Sequence, residues 1–253
     1  MKPHDGWPQL IAHRGNAAEF PENTLEALES AVALGVRHVE FDVQLSADLI
    51  PVVMHDADLQ RIAGRAGCVH DLTWIELAGI AFGEPHRFGA RFVNVHPVSL
   101  AQLGVSIERW PQVTAFVEIK RASLRRFGLE TVLRRVSEAL PRAALQQCVW
   151  ISFDLACVQA LRRMTGARIG WVVERYDAAT RQAAGELRAD FLFGDVEHLP
   201  ASMTTLWPGP WQWAIYEVRD VETARRCRQL GADFVETMNV RAMTSAYAAA
   251  GDA

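Results

Sequence analysis

Val39-Glu40-Phe41-Asp42-Val43 sets two carboxylates two residues apart inside an apolar, β-branched and aromatic run. Alternate side chains of a strand share a face. Glu40 and Asp42 therefore point one way, and Val39, Phe41 and Val43 the other. Two carboxylates on one face repel and are costly to bury unless a cation sits between them. Their oxygens suit Mg²⁺, Ca²⁺ or Mn²⁺. Taken alone, the five residues also fit a half-exposed antiparallel strand with one wet face, and the flanking chain has to decide.

Upstream, Leu10-Ile11-Ala12 is a short apolar strand that ends at His13-Arg14-Gly15. Pro21-Glu22-Asn23-Thr24 follows, with Asn23 placed to N-cap a helix and Glu26 three residues on, as in a capping box. Glu22 is placed to hold Arg14 by an ion pair. Leu25, Leu28 and Val32 supply that helix with an apolar stripe, and Gly35 ends it. Strand, helix and the strand 37–45 make a βαβ unit, hence a parallel pair.

Downstream, only about four residues separate this strand from Ile50-Pro51-Val52-Val53-Met54-His55-Asp56. A parallel crossover needs a dozen or more. Residues 50–55 are therefore expected to return antiparallel and to bring His55 back towards Asp42. Residues 57–98 are punctuated by Gly and Pro and break the β/α rhythm. We expect an insertion of about 46–98 that packs over the strand C-termini and walls the site. It should hold one short helix, opened by the capping box Thr73-Trp74-Ile75-Glu76. Ser99 caps a helix to about Trp110.

Ala115 to Lys120 is the next strand, with Glu118 and Lys120 on one face. Further strands are expected at 148–152, ending in Ser152, and at 168–174, 190–193, 213–217 and 233–237. Helices are expected at 127–139, at 155–164 capped by Asp154, at 178–187 capped by Asp177, and at 221–230. Residues 242–253 read as a fraying Ala-rich tail. Without the 50–55 arm this makes eight strands alternating with helices in 253 residues. That is the size and rhythm of an α/β fold of the (β/α)8 TIM-barrel type, with a small insertion after the second strand. In that fold active sites lie at the C-terminal ends of strands. His13, Arg14, Glu40, Asp42, Glu118, Lys120 and Ser152 all fall there, which favours the cation reading of Glu40 and Asp42.

Bulk properties bound the rest. The chain is 50% hydrophobic and 22% charged, with a net charge of −4, which allows one large domain or two small ones with ample core. No basic block supports nucleic-acid binding. No apolar run reaches a membrane span, and the N-terminus has no apolar signal core. Cys68, Cys148, Cys157 and Cys227 lack CxxC spacing and read as free thiols of a cytoplasmic protein.

Five blocks together resemble the glycerophosphodiester phosphodiesterase family: His13-Arg14-Gly15, Pro21-Glu22-Asn23-Thr24, Glu40-Phe41-Asp42, His55-Asp56 and Glu118-Ile119-Lys120. The resemblance runs from Ile11 to about Thr237. It implies one divalent cation, Mg²⁺ or Ca²⁺, on Glu40, Asp42 and Glu118. It implies His13 and His55 as an acid/base pair, and Arg14 and Lys120 as phosphate ligands. The implied reaction is hydrolysis of a glycerophosphodiester to sn-glycerol 3-phosphate and an alcohol. Asn23 and Trp213 are further candidates for the substrate side, each with a plain alternative: a helix cap and core packing. Two blocks depart from the family pattern. Ala214-Ile215-Tyr216 follows Trp213 where Thr-Val-Asn is frequent, and Glu236-Thr237 stands where Thr-Asp is common. Two other readings remain open: a lipid phosphodiesterase acting on lysophospholipids, with the tryptophans 207–213 as an apolar mouth, and a phosphodiester-binding barrel without catalysis.

Overall fold

The computed structural model describes residues 6–251. The first five residues of the N-terminal stretch and the last two of the tail lie outside them. Among the described residues nine strands run in chain order: β1 (Gln9–His13), β2 (His38–Leu45), β3 (Pro51–Val53), β4 (Thr114–Ile119), β5 (Cys148–Ser152), β6 (Ile169–Val173), β7 (Phe191–Asp195), β8 (Gln212–Tyr216) and β9 (Phe234–Thr237). All but β3 pair in parallel in the order β1-β9-β8-β7-β6-β5-β4-β2, and β1 pairs with β2 to close the barrel. The expected eight-stranded barrel is therefore the fold. β3 runs antiparallel to the far end of β2, with Val43 opposite Val53. Met54 donates its N–H to the Asp42 carbonyl at 2.9 Å, so the return carries His55 to the carboxylate strand.

Strand parity divides the core. Val39, Phe41, Val43 and Leu45 of β2 join Val117, Trp150 and Ile215 in the layer between strands and helices. Inside the barrel, Ile11, Phe116, Val149, Ile151, Val172, Phe191, Phe193, Ala214 and Phe234 pack together. Phe116 meets Phe191 edge-on at 5.0 Å between centroids, an arrangement aromatic quadrupoles favour. Gly170 makes room for this plug, since a Cβ there would lie 2.9 Å from Ile151 and 3.1 Å from Phe193. The same inward parity, continued along β2 and β4 beyond the plug, delivers Glu40, Asp42 and Glu118. The barrel thus has an apolar floor under a charged chamber.

Several local expectations change. The helix Leu25–Ala33 is capped by Thr24, whose side chain accepts from the Ala27 N–H. Asn23 instead takes a left-handed backbone (φ 57) and turns its amide elsewhere. Between Lys120 and β5 there are three helices, Arg121–Phe127, Leu129–Ala139 and Arg142–Gln147. Gly128 at φ 81 separates the first two. Residues 240–251 form a helix rather than a fraying tail. Met243 and Tyr247 are buried on one face, and Tyr247 stacks on Trp7 at 4.8 Å.

The insertion has its own apolar cluster: Val52, Met54, Leu59, Ile62, Val69, Leu77 and Phe82. The capping box at Thr73 and Glu76 forms as expected, but the insertion holds three short α-helices, Gln60–Ala63, Trp74–Ala78 and Pro85–Phe88, where one was expected, because Gly64 and Gly89 close the other two within a turn. The Arg87 guanidinium donates to the Ala17 carbonyl, and Phe92 packs on Phe20. The insertion therefore sits against the loop that leaves the C-terminal end of β1.

Candidate active site

Register sets the site. His13 of β1 lies beside Glu40 of β2, and Asp42 lies beside Glu118 of β4. One oxygen from each of Glu40, Asp42 and Glu118 falls within 4.8 Å of the others, and all three residues are buried. Lys120, just past β4, places Nζ 2.7 Å from Glu118 and 3.2 Å from Asp42. Arg14 places Nε 3.1 Å from Asp42 and donates from Nη1 to Glu22 at 3.0 Å. Its backbone N–H donates to Glu40. Asn23 holds Asp42 from both sides: its Nδ2 donates to Asp42 Oδ2 at 2.8 Å, and its Oδ1 accepts the Asp42 N–H at 3.0 Å.

The three carboxylates are not equivalent. Burial opposes the charge of Asp42, but Lys120, Arg14 and the Asn23 amide hold it well below the usual carboxylate range. Burial raises Glu40 well above that range, and Asp42, Glu236 and Glu118 add to the effect. Glu118 is pushed up to about 7, again by burial first, with Lys120 opposing and Asp42 assisting. Glu40 Oε1 is buried without a hydrogen-bond partner among the described residues. An all-oxygen donor set in which burial leaves Glu40 and Glu118 undercompensated, and one Glu40 oxygen orphaned, fits a hard divalent cation such as Mg²⁺ or Ca²⁺.

The two histidines flank this cluster. His13 Nε2 lies 3.8 Å from Glu40, and Nδ1 lies 3.5 Å from Glu217. Burial, then the charge of Arg14, pushes His13 well below its ordinary pKa. His55 is also lowered by burial, which outweighs the opposing carboxylates of Asp42 and Asp56. His55 Nδ1 is 2.5 Å from Asp56 Oδ1. An ionised carboxylate only accepts, so Nδ1 carries the proton and Nε2 offers its lone pair.

His13, Arg14, Glu40, His55, Glu118 and Lys120 all line one cavity of about 360 Å³. Phe153 and Tyr216 give it an apolar side, and Glu174, Asp195 and Glu217 give it acidic groups. Trp213 lies elsewhere. It points outward from β8, is buried against Tyr176 and Trp207, and donates its indole N–H to the Trp207 carbonyl. Among the described residues no tryptophan lines the cavity, and the aromatic loop 207–213 is outer packing. Ser152 ties strand ends together, donating to the Ile119 carbonyl and accepting from the Asp154 N–H. The insertion lends the cavity His55, and none of 57–98 lines it among the described residues.

Sequence reasoning passed over Glu217 and read Glu236 only as a departure from a pattern. Glu236 is 3% exposed, and its Oε1 has no partner among the described residues. Burial, then Glu118 and Asp42, raises it well above its ordinary range. Both follow the rule that found the other residues, an ionisable group near the C-terminal end of a strand.

The sequence profile of the Glycerophosphoryl diester phosphodiesterase family matches residues 13–240. The chain belongs to this family. Among curated relatives, the Glycerophosphodiester phosphodiesterase of Caldanaerobacter subterraneus subsp. tengcongensis is 44% identical over 93 residues, 35% of this chain and 38% of that protein. Glycerophosphodiester phosphodiesterase 1 of Bos taurus is 38% identical over 94 residues, 37% of this chain and 28% of that protein. These matches thus span well under two thirds of either relative. Solved structures share the barrel over nearly the whole chain. A phosphodiesterase of Oleispira antarctica in complex with the product sn-glycerol-3-phosphate has a TM-score of 0.80 at 22% identity, covering 95% of this chain and 96% of that one. A glycerophosphodiester phosphodiesterase of Thermotoga maritima has a TM-score of 0.69 at 23% identity, covering 94% and 97%. No helix among the described residues of this family member is long and apolar enough to cross a membrane.

Proposed function

We propose that this glycerophosphoryl diester phosphodiesterase family member hydrolyses glycerophosphodiesters to sn-glycerol 3-phosphate and an alcohol, with His13 and His55 as the acid/base pair. The observation that carries this is the single cavity onto which both imidazoles, Arg14, Lys120, Glu40 and Glu118 open. The sn-glycerol-3-phosphate complex of the Oleispira antarctica barrel supports the choice of product.

A phosphodiester gains negative charge on its oxygens as the transition state forms, and preorganised cations stabilise it. Arg14 and Lys120 serve that purpose, Arg14 through its planar fork and Lys120 as a point charge. Their ion pairs with Asp42 and Glu118 fix where their donors point. A divalent cation held by Glu40, Asp42 and Glu118 would supply further positive charge to the phosphate and lower the pKa of a hydroxyl it binds. One histidine takes the proton of the attacking hydroxyl and the other gives one to the leaving alkoxide. The acidic groups Glu174, Asp195 and Glu217 on the cavity wall favour an alcohol with a polar or cationic group.

The test is release of sn-glycerol 3-phosphate from a panel of glycerophosphodiesters, with Mg²⁺ or Ca²⁺ and with chelator. Chelation should abolish turnover, and His13→Ala or His55→Ala should each slow it by about 10²–10⁴-fold. Full activity in a thoroughly metal-free sample would remove the cation from the reaction. Wild-type rates in both histidine variants would overturn the acid/base assignment.

A further inference from the structure

Arg61 lies outside the cavity, on the short helix Gln60–Ala63 of the insertion, and its side chain is 41% exposed. Such an arginine would ordinarily be a solvated surface charge. Here all three guanidinium nitrogens are engaged. Nε donates to Asp56 Oδ2 at 2.7 Å. Nη1 and Nη2 donate to the two oxygens of Glu22 at 2.6 and 2.7 Å. Each carboxylate then turns its near oxygen to a residue of the site. Asp56 Oδ1 meets His55 Nδ1, and Glu22 Oε1 accepts from Arg14 Nη1. Two separate relays therefore leave one guanidinium and end on the proposed acid/base histidine and the proposed phosphate ligand.

The relays are built to hold still. Glu22 is buried between two guanidinium groups, and burial is outweighed by Arg61 and Arg14, which keep its pKa below the usual range. The Arg61 helix is closed by Gly64 at φ 67, and Ile62 anchors it in the insertion's apolar cluster. Only an arginine has donors in a planar fork wide enough to serve both carboxylates at once.

We propose that Arg61 is a positioning residue that fixes the His55 imidazole through Asp56 and the Arg14 guanidinium through Glu22. The insertion thereby sets the geometry of a site it does not line beyond His55. This inference rests on the proposed function for its kinetic consequences, but its structural part can be read without turnover.

The experiment compares Arg61→Met, Arg61→Lys, Asp56→Asn and Glu22→Gln with the wild type, singly and combined. Asp56→Asn should lower kcat with little change in KM, and Glu22→Gln should mainly raise KM. Arg61→Met should do both, with kcat falling by about 10–10²-fold. Adding Arg61→Met to Asp56→Asn should lower kcat no further, because that relay is already cut. Arg61→Lys should rescue little, since the charge returns without the fork. A kcat loss that simply adds when Arg61→Met joins Asp56→Asn, a KM rise that simply adds when it joins Glu22→Gln, or wild-type kinetics in Arg61→Met would overturn the proposal. The second readout is the ¹⁵N spectrum of histidine-labelled protein, which reports the His55 tautomer in the folded chain. The wild type should show the proton on Nδ1, and Arg61→Met a mixture of tautomers. An unchanged tautomer in Arg61→Met would overturn the His55 relay. A wild type that releases no glycerol 3-phosphate would sink the proposed function instead, and the tautomer would still decide the role of Arg61.

Discussion

Replacing Asn23 with Ala strikes a residue that holds Asp42 by both its side chain and its backbone. The Asp42 N–H would be left buried and unpaired, at a cost of about 1–3 kcal/mol. The charge-assisted bond from Nδ2 contributes a further 1.5–3 kcal/mol or so. Asn23 also sits at φ 57, where an alanine pays about 1–2 kcal/mol that asparagine tolerates better. These losses share one carboxylate and so do not add in full. A destabilisation of about 3–5 kcal/mol is expected, a large part of a typical folding free energy of about 5–15 kcal/mol. Urea unfolding followed by tryptophan fluorescence, with chelator throughout, would measure it as a fall in the midpoint at unchanged slope. Asn23→Gly loses the same hydrogen bonds but accepts the left-handed backbone freely. It should therefore be more stable than Asn23→Ala by about 1 kcal/mol. An alanine variant within about 1 kcal/mol of wild type, or one more stable than the glycine variant, would refute the reasoning.

Glu236→Met removes a buried carboxylate with an unpartnered oxygen and should stabilise the metal-free protein by about 1–3 kcal/mol, read as a higher unfolding midpoint; a lower midpoint would mean the carboxylate is internally compensated. Gly15→Ala places a methyl 2.5 Å from the Ala27 carbonyl carbon at a backbone of φ 82, and should cost about 2–4 kcal/mol by the same unfolding measurement. A smaller loss would show that the Arg14 loop gives way easily. Burial pushes the thiols of Cys148 and Cys157 up to about 12, so both stay protonated at mildly alkaline pH. Iodoacetamide should label half-buried Cys68 first in native protein and all four cysteines only in denaturant; mass spectrometry showing early label on Cys148 or Cys157 would contradict this.

The barrel was legible because its signal is local and repeated. Each strand is a short apolar run, each helix opens at a residue such as Ser99, Asp154 or Asp177, and the alternation counts to eight. The cluster was legible because parity alone puts Glu40 with Asp42 and Glu118 with Lys120. What failed depended on partners far along the chain. Asn23 looked like a cap until Asp42 claimed its amide, which moved the cap to Thr24. Trp213 was a substrate-side candidate that came with the resemblance, yet it sits at the N-terminal end of its strand, away from the mouth. It follows Gln212 at the start of β8, on the outward parity, whereas Ala214 and Tyr216 face in. The tail looked frayed because its alanines hide the stripe of Val240, Met243 and Tyr247, and the partner of Tyr247 is Trp7, at the other end of the chain. No local pattern links Arg61 to Glu22.

The two ends of the insertion lie side by side. Val52 bridges to Ser99, and Val53 donates its N–H to the Val98 carbonyl at 3.0 Å. The chain leaves the barrel and re-enters it through one stapled doorway. Closing a loop whose ends are already tied costs little more as the loop lengthens, so the stretch between can be exchanged as a cassette without reshaping the barrel. The freedom is not complete, because the cassette must keep His55 beside the doorway, with Asp56 and Arg61 behind it. A lineage of such barrels could therefore diversify its surface here by grafting segments beyond Arg61, with the strand-borne part of the chamber inherited unchanged.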